Sequence, residues 1–420
     1  MPAHPFAAIV GIDWADKKHD LCLLDPVSGK AEHQVIAHQS EAIDTWAQAL
    51  RERFGGRPVA VALEQRRGPL IYALRKYDFL VLYPLDPNML AQYRKAFAPS
   101  RAKDDPVDAR LAAELVLRHG EKLRPWRPND PATRELEHLV EMRRCLVDDR
   151  KRLGNRLGST LKVYYPQLLA WFNDLTMPLT LEFLLAYPTL FDAQQADDQA
   201  LLEFFARHNS RRRNVNQRRL KAIRQAMPLI TDPALIQPHA LQAQTLAEQL
   251  KVLIAQIRRF DQSIKQLVDH HPELHWVASL PATGPVFTAR LIAAFGTDRE
   301  RYPSANNLMT YAGIAPVMER SGQKQWVHWR WSAPTFLRQT FVEWAGETIR
   351  HSFWARAYYQ CQREKGKSHQ MPVRALAFKW VRILYRLWQN NEPYDENRYL
   401  NALRKQKSPL LKFIGEAAWR

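Results

Sequence analysis

The chain has 420 residues and carries 61 Lys and Arg against 43 Asp and Glu, a formal net charge of +18. That length allows two or three domains. A composition of 46% hydrophobic and 25% charged residues excludes a disordered or fibrous chain, and the basic excess points to a polyanion, usually nucleic acid. Cys22, Cys145 and Cys361 form no CxxC pair, which argues against a zinc site and for free thiols in a reducing cytoplasm. No run approaches 18 apolar residues and the start, MPAHPFAAIVGID, lacks a signal peptide's features, so neither a membrane span nor export is expected.

Residues 6–120 alternate strand and helix patterns. AAIVGID, DLCLLDP and EHQVIAH read as three strands, and SEAIDTWAQALRERF as an amphipathic helix with Ser40 at its N-cap. RPVAVALE and FLVLYPLD read as two further strands with a helix between, and KDDPVDARLAAE as the start of another helix. This order predicts an α/β fold, a mixed sheet flanked by helices as in RNase H. Ligands in such sheets favour the carboxyl ends of the strands, where Asp13 and Glu64 fall.

LRPWRPNDPATREL (123–136) reads as a proline-spaced linker. Helical patterns then dominate. Residues 132–163 place Leu136, Leu139, Leu146, Leu153 and Leu157 among many arginines. A second long helix over about 238–270 repeats Leu246, Leu250, Leu253, Ile257, Phe260, Ile264 and Leu267 as a heptad seam. That seam fits either packing within one chain or a coiled coil that pairs subunits. Between the two helices, RHNSRRRNVNQRRLKAIR (207–224) holds eight basic residues in 18, either a solvated face or a phosphate contact through Arg211, Arg212, Arg213, Arg218 and Arg219. WVASLPATGPVFTARLIAAFG suggests a helix-hairpin-helix turn. A run of helices follows to about 390, and LRKQKSPLLKFIGEAAWR reads as a basic tail.

Asp13, Glu64, Asp105 and Asp108 form the strongest chemical pattern: two strand-end carboxylates and two at a helix start. Such a set can cage two divalent ions about 4 Å apart beside a phosphodiester. Each residue also has a structural reading. Asp105 before Pro106 suits an N-cap, Asp108 completes a capping-box-like spacing, and Asp104 is a rival ligand. A second candidate centre is Ser321. Serine before glycine usually marks a turn, but Lys324, His328, Arg330 and Arg338 nearby could stabilise phosphoryl charge, and Trp326, Trp329 and Trp331 could stack on bases or pack a core. Lys103 beside the acidic helix is a further phosphate-contact candidate.

GIDWADKKHD, ALEQRRGPL and KDDPVDARLAAELV, followed by LPATGPVFTARLIAAFG, YAGIAPVMERSG and GKSHQMPVRALAFKWVRILYRLW, resemble the signatures of the DEDD insertion-sequence transposases. That group includes bridge-RNA-guided serine recombinases and Piv-type DNA invertases. The resemblance covers roughly 6–160 and 240–400. Ala282 stands where the family usually has glycine, and RWSAPTFLR replaces its lysine-glycine-asparagine run. The family's DxxDA matches Asp105 to Ala109, favouring Asp105 over Asp104.

The resemblance implies a RuvC-like nuclease domain over 1–122, similar to Holliday-junction resolvases, with Asp13, Glu64, Asp105 and Asp108 binding Mg2+ or Mn2+. With the residue patterns above, this divides the rest into a linker and coiled-coil helical region with a basic insertion over 123–275, a helical transposase domain over 276–400 and a basic tail over 401–420. Ser321 would attack DNA and form a phosphoserine. Donor and target double-stranded DNA, a structured guide RNA and a homo-oligomer, dimer or tetramer, are the implied partners, in a bacterial or archaeal cytoplasm at the nucleoid. The rival readings are a metal-dependent junction endonuclease acting by hydrolysis, and a non-catalytic coiled-coil protein that binds nucleic acid.

Overall fold

A computed structural model describes residues 4–65, 67–97 and 105–415. They fall into two compact units, Met1–Pro128 and Asn129–Arg420. In the first, β1 (Ala8–Trp14), β2 (Lys18–Leu24) and β3 (Ala31–Ala37) are followed by α1 (Ser40–Phe54), β4 (Val59–Leu63), α2 (Pro69–Leu74), β5 (Leu80–Pro84), α3 (Pro87–Phe97) and α4 (Asp105–His119). The sheet order is β3-β2-β1-β4-β5, with β1 antiparallel to β2 but parallel to β4. β1 and β4 are covered on both faces, which explains why they read as continuous apolar runs rather than alternating ones. The expected strands and helices are present. One detail differs: Gln39 occupies the N-cap position and Ser40 is already helical.

Each face of this sheet has its own core. Val10, Ile12, Val61 and Leu63 point to α1 and α2, whereas Ile9, Ala60, Ala62 and Leu24 point to α3 and α4. On the second face Gly11 lets α4 lie against β1. A Cβ at residue 11 would come within 1.8 Å of the Ala109 carbonyl oxygen, so only glycine permits this approach.

The second unit is helical apart from one hairpin. It contains α5 (Pro131–Tyr164), α6 (Gln167–Trp171), α7 (Pro178–Ala186), α8 (Leu190–Gln195), α9 (Asp198–Arg207), α10 (Arg213–Gln225) and α11 (Pro233–Asp269). Beyond these lie α12 (Leu274–Ala278), α13 (Pro285–Phe295), α14 (Ala305–Tyr311), β6 (Val317–Ser321), β7 (Lys324–His328), α15 (Thr335–His351), α16 (Phe353–Glu364), α17 (Gln370–Asn390) and α18 (Glu396–Lys405).

The linker is shorter than its prolines suggest. Asp130 caps α5 by accepting from the Thr133 amide, and Pro131 takes the first helical position, where a missing N–H costs nothing. The long helices α5 and α11 pair antiparallel: Thr160 donates to Gln242 near one end, and Thr133 meets His271 near the other. One core gathers α6–α10 around Leu157, Leu246 and Leu250. The other gathers α12–α18 around Ile264 and the fully buried Trp276, Trp344, Trp354, Trp380 and Trp388.

The heptad seam is therefore occupied within the chain. Leu246, Leu250, Ile257 and Ile264 are buried, while Leu253, Phe260 and Leu267 are half-buried. Arg143 on α5 pairs with Asp261 on α11 at 2.5 Å beside this seam. Of the two readings of the seam, packing within one chain accounts for its buried members, while Leu253, Phe260 and Leu267 stay partly exposed. Within the expected tail segment, Leu403 and Ile414 pack into the core. No helix among the described residues is long and apolar enough to cross a membrane.

Candidate active site

The acidic site begins with register. Ile12 pairs with Leu63 across the parallel strands β1 and β4, so Asp13 and Glu64 are the next neighbours at the carboxyl ends. Adjacent strands run about 4.8 Å apart. Asp13 is also directly opposite Asp20 across the antiparallel pair. Residues on a strand alternate faces, so Asp13 shares its face with Ile9 and Gly11, the face covered by α4. The close approach of Gly11 and Ala109 brings the start of α4, and with it Asp105 and Asp108, onto that side of the sheet.

Asp108 is buried and held by Arg94 of α3 through two hydrogen bonds, Nε to Oδ1 at 2.5 Å and Nη2 to Oδ2 at 2.6 Å. Asp105 opens α4 and is half-buried. Asp20, buried on β2, is met by Lys18 at 3.4 Å. Hard carboxylate oxygens suit Mg2+ or Mn2+, so the donor set fits in chemistry. Among the described residues, no group of three or more His, Cys, Asp or Glu converges on one metal position. Arg94 already holds the Asp108 carboxylate, one of the two that α4 would contribute. Asp13, Asp105 and Asp108 lie on the α4 side of the sheet, and Asp13 and Glu64 each follow the last residue pair of the β1–β4 ladder. Lys103 and the rival Asp104 lie outside the described residues.

Sequence reasoning missed Arg94 and Asp20. Arg94 lies in no motif, and only the packing of α3 on α4 reveals it. Asp20 was legible as the residue facing Asp13 once the first two strands were paired as a hairpin.

Ser321 closes β6, and Lys324 opens β7 directly opposite it. The two-residue turn has Gly322 at φ +60, whereas Gln323 is not among the positive-φ residues, the pattern of a type II′ hairpin. Both strands are exposed almost throughout. Glu319, Ser321, Lys324, Trp326 and His328 share one face of the hairpin. There Glu319 accepts from the Trp326 indole at 2.7 Å and meets His328 Nε2 at 2.8 Å. His328 Nδ1 lies 3.1 Å from the Trp329 carbonyl oxygen. Both ring nitrogens face acceptors, an arrangement the doubly protonated imidazolium satisfies. The hydrogen bond to Glu319 and then that to Trp329 raise the His328 pKa accordingly. His328 is thereby tethered at both ring nitrogens and is not a free base for Ser321.

The other basic candidates divide by exposure. Arg338 donates to the Arg330 carbonyl and lies over the Trp329 ring, which Arg374 also approaches at 4.4 Å, so this group braces the foot of the hairpin. Arg330 is half-buried, Trp329 is half-buried, and Trp326 and Trp331 are exposed. Arg211, Arg212, Arg213 and Arg218 are exposed at the start of α10. Arg219 is not: it stacks on Phe172 and Phe205 and donates to the Trp171 carbonyl and Ser210 Oγ. Its guanidinium holds α10 to the core, unlike the exposed arginines beside it.

Two family models match the chain. One, described as "Transposase", covers residues 10–166, and the other, "Transposase IS116/IS110/IS902 family", covers residues 274–360. The chain belongs to this transposase family and is an enzyme of the transposase and recombinase class, which removes the non-catalytic alternative. It is 27% identical over 395 residues to a mini-circle protein of Streptomyces coelicolor named as the candidate transposase of IS117, spanning 92% of this chain and 95% of that one. It is 24% identical over 394 residues to a 42 kDa protein of insertion element IS900 from Mycobacterium paratuberculosis, covering 91% and 96%. A pilin gene-inverting protein of Moraxella lacunata is 28% identical over 158 residues, 33% of this chain and 45% of that protein.

Proposed function

We propose that the chain is the transposase of an insertion sequence and that it exchanges DNA strands by transesterification through Ser321. The observation that carries this reading is the position of Ser321: an exposed hairpin tip inside the segment matched by the transposase family. In this reading Ser321 Oγ attacks the phosphorus of a DNA phosphodiester. An Oγ–P bond forms, a P–O bond to a sugar breaks, and the freed sugar hydroxyl takes the proton that the serine gives up. The hydroxyl of a new strand then reverses the step. One ester bond replaces another, so no outside energy source is needed.

The sheet order and the α4 packing are compatible with an RNase H-like (RuvC-like) nuclease fold over 1–122, and the reading divides the rest into a helical region over 123–275 and a transposase domain over 276–400. Asp13, Glu64, Asp105 and Asp108 would hold Mg2+ or Mn2+. Ions bound there supply Lewis acidity for the phosphoryl and leaving oxygens. Exchange between two duplexes calls for several copies of Ser321, so a dimer or tetramer belongs to the proposal. The exposed Arg211, Arg212, Arg213 and Arg218 contact phosphates of donor and target DNA and of a structured guide RNA, which the +18 charge favours.

The test uses the full chain with DNA spanning the ends of its element. Ser321→Ala should abolish covalent protein–DNA adducts while DNA binding persists. If Ser321→Ala still cuts, and wild type forms no adduct, the chain is a hydrolytic nuclease instead.

A further inference from the structure

We propose that Lys324 contacts the phosphodiester that Ser321 attacks and neutralises a non-bridging oxygen as charge builds there. This rests on the nucleophilic role of Ser321 and adds the group that stabilises its transition state.

The geometry of the hairpin tip places the two side chains together. Ser321 and Lys324 are a directly opposed pair at the end of the ladder, and directly opposed side chains leave a sheet on the same face with Cβ atoms about 5 Å apart. A lysine stem reaches beyond a serine from that distance. A phosphate touching the Ser321 hydroxyl therefore lies within reach of the Lys324 ammonium. The Gly322 turn fixes this pairing, because its positive φ sets the two-residue loop.

The other charges on this face are already committed. Glu319 is hydrogen-bonded by both His328 and Trp326, and His328 is tethered at both nitrogens. Arg320 pairs with Gln325 on the opposite face. Lys324 is exposed and has no ion-pair partner among the described residues. An unpaired cation directly across from a nucleophile is placed where phosphoryl charge develops, and preorganised charge of this kind is worth about 100-fold or more in rate.

The experiment uses the full-length protein with three variants, Ser321→Ala, Lys324→Met and Lys324→Arg. The DNA carries either a normal phosphate or a neutral methylphosphonate at the scissile position, mapped first from the wild-type adduct. The readout is the rate of covalent adduct formation, with DNA binding measured alongside.

Lys324→Met should slow adduct formation on normal DNA by about 100-fold while binding the same duplex as wild type. Lys324→Arg should keep most of the rate, since it keeps the charge. The methylphosphonate should restore Lys324→Met towards the wild-type rate, because the charge the ammonium meets is gone. A merely structural lysine gives no such selective rescue. Wild-type rates for Lys324→Met, or a methylphosphonate that fails to rescue it, would overturn the proposal. Adducts that persist in Ser321→Ala instead overturn the nucleophile reading beneath it.

Discussion

Replacing Arg94 with Met tests whether Asp108 is a metal ligand or only half of an ion pair. The Asp108 side chain is 4% exposed and that of Arg94 19% exposed, so the pair is shielded from water on both sides. Removing one partner of a buried pair leaves an uncompensated charge at a cost of about 3–5 kcal/mol. Since Arg94 retains some exposure, the lower end, about 3 kcal/mol, is expected. A ligand that binds only the folded state returns about 2.7 kcal/mol at a concentration 100-fold above its dissociation constant. If Asp108 is a ligand, Mg2+ would have to displace the Arg94 guanidinium in wild type, so its stabilising effect should be small. In Arg94→Met, Mg2+ meets an unpaired carboxylate and should restore most of the lost stability. Hydrogen exchange of the α4 and β1 amides is the suitable assay, because it reports on this region alone. The double variant Arg94→Met with Asp108→Asn should recover stability without Mg2+ and gain little from adding it. Equal Mg2+ protection in wild type and Arg94→Met, or none in either, would refute the argument and leave Asp108 as a structural partner of α3.

Four further outcomes follow from the structure. Ala282 sits at φ +59, a left-handed conformation that costs a non-glycine residue about 1 kcal/mol or more, so Ala282→Gly should raise the denaturation midpoint of the helical unit in urea. Ile257 is buried in the α5–α11 pairing, so Leu253→Glu with Ile257→Lys should unfold the unit, seen as a fall in helical circular dichroism, rather than release folded smaller particles. Changing Arg211, Arg212 and Arg213 to alanine should weaken binding on all DNA sequences and flatten the salt dependence by about 0.9 in slope for each phosphate no longer neutralised. Arg219→Ala should instead destabilise the helices around Phe172 and Phe205, measured by thermal melting.

Much of the first unit was legible because buried parallel strands and amphipathic helices leave distinct periodicities. AAIVGID and VAVALE became neighbouring parallel strands, with Asp13 and Glu64 following their last paired residues. The local sequence could not show which partner a side chain meets at long range. Arg94 reaches Asp108 only because α3 folds back on α4. The heptad pattern gave the buried face of α11 but was silent on what covers it, since a partner helix in the same chain and one in another copy leave the same repeat. In the basic run, charge alone did not separate the exposed Arg211, Arg212, Arg213 and Arg218 from Arg219, whose aromatic neighbours lie in other parts of the helical unit. The hairpin that carries Ser321 is short and exposed on nearly all of both strands, so no buried stripe announced it; the serine-glycine pair gave only the turn.

The most direct test of the central claim is mass spectrometry of the covalent complex trapped between the full-length protein and its element-end DNA, formed with a divalent ion present. The account predicts a nucleotide esterified to Ser321, and no adduct when Asp13 is changed to Asn. A nucleotide found on Ser304 or Ser332, or efficient strand exchange with no protein-linked nucleotide at all, would contradict it.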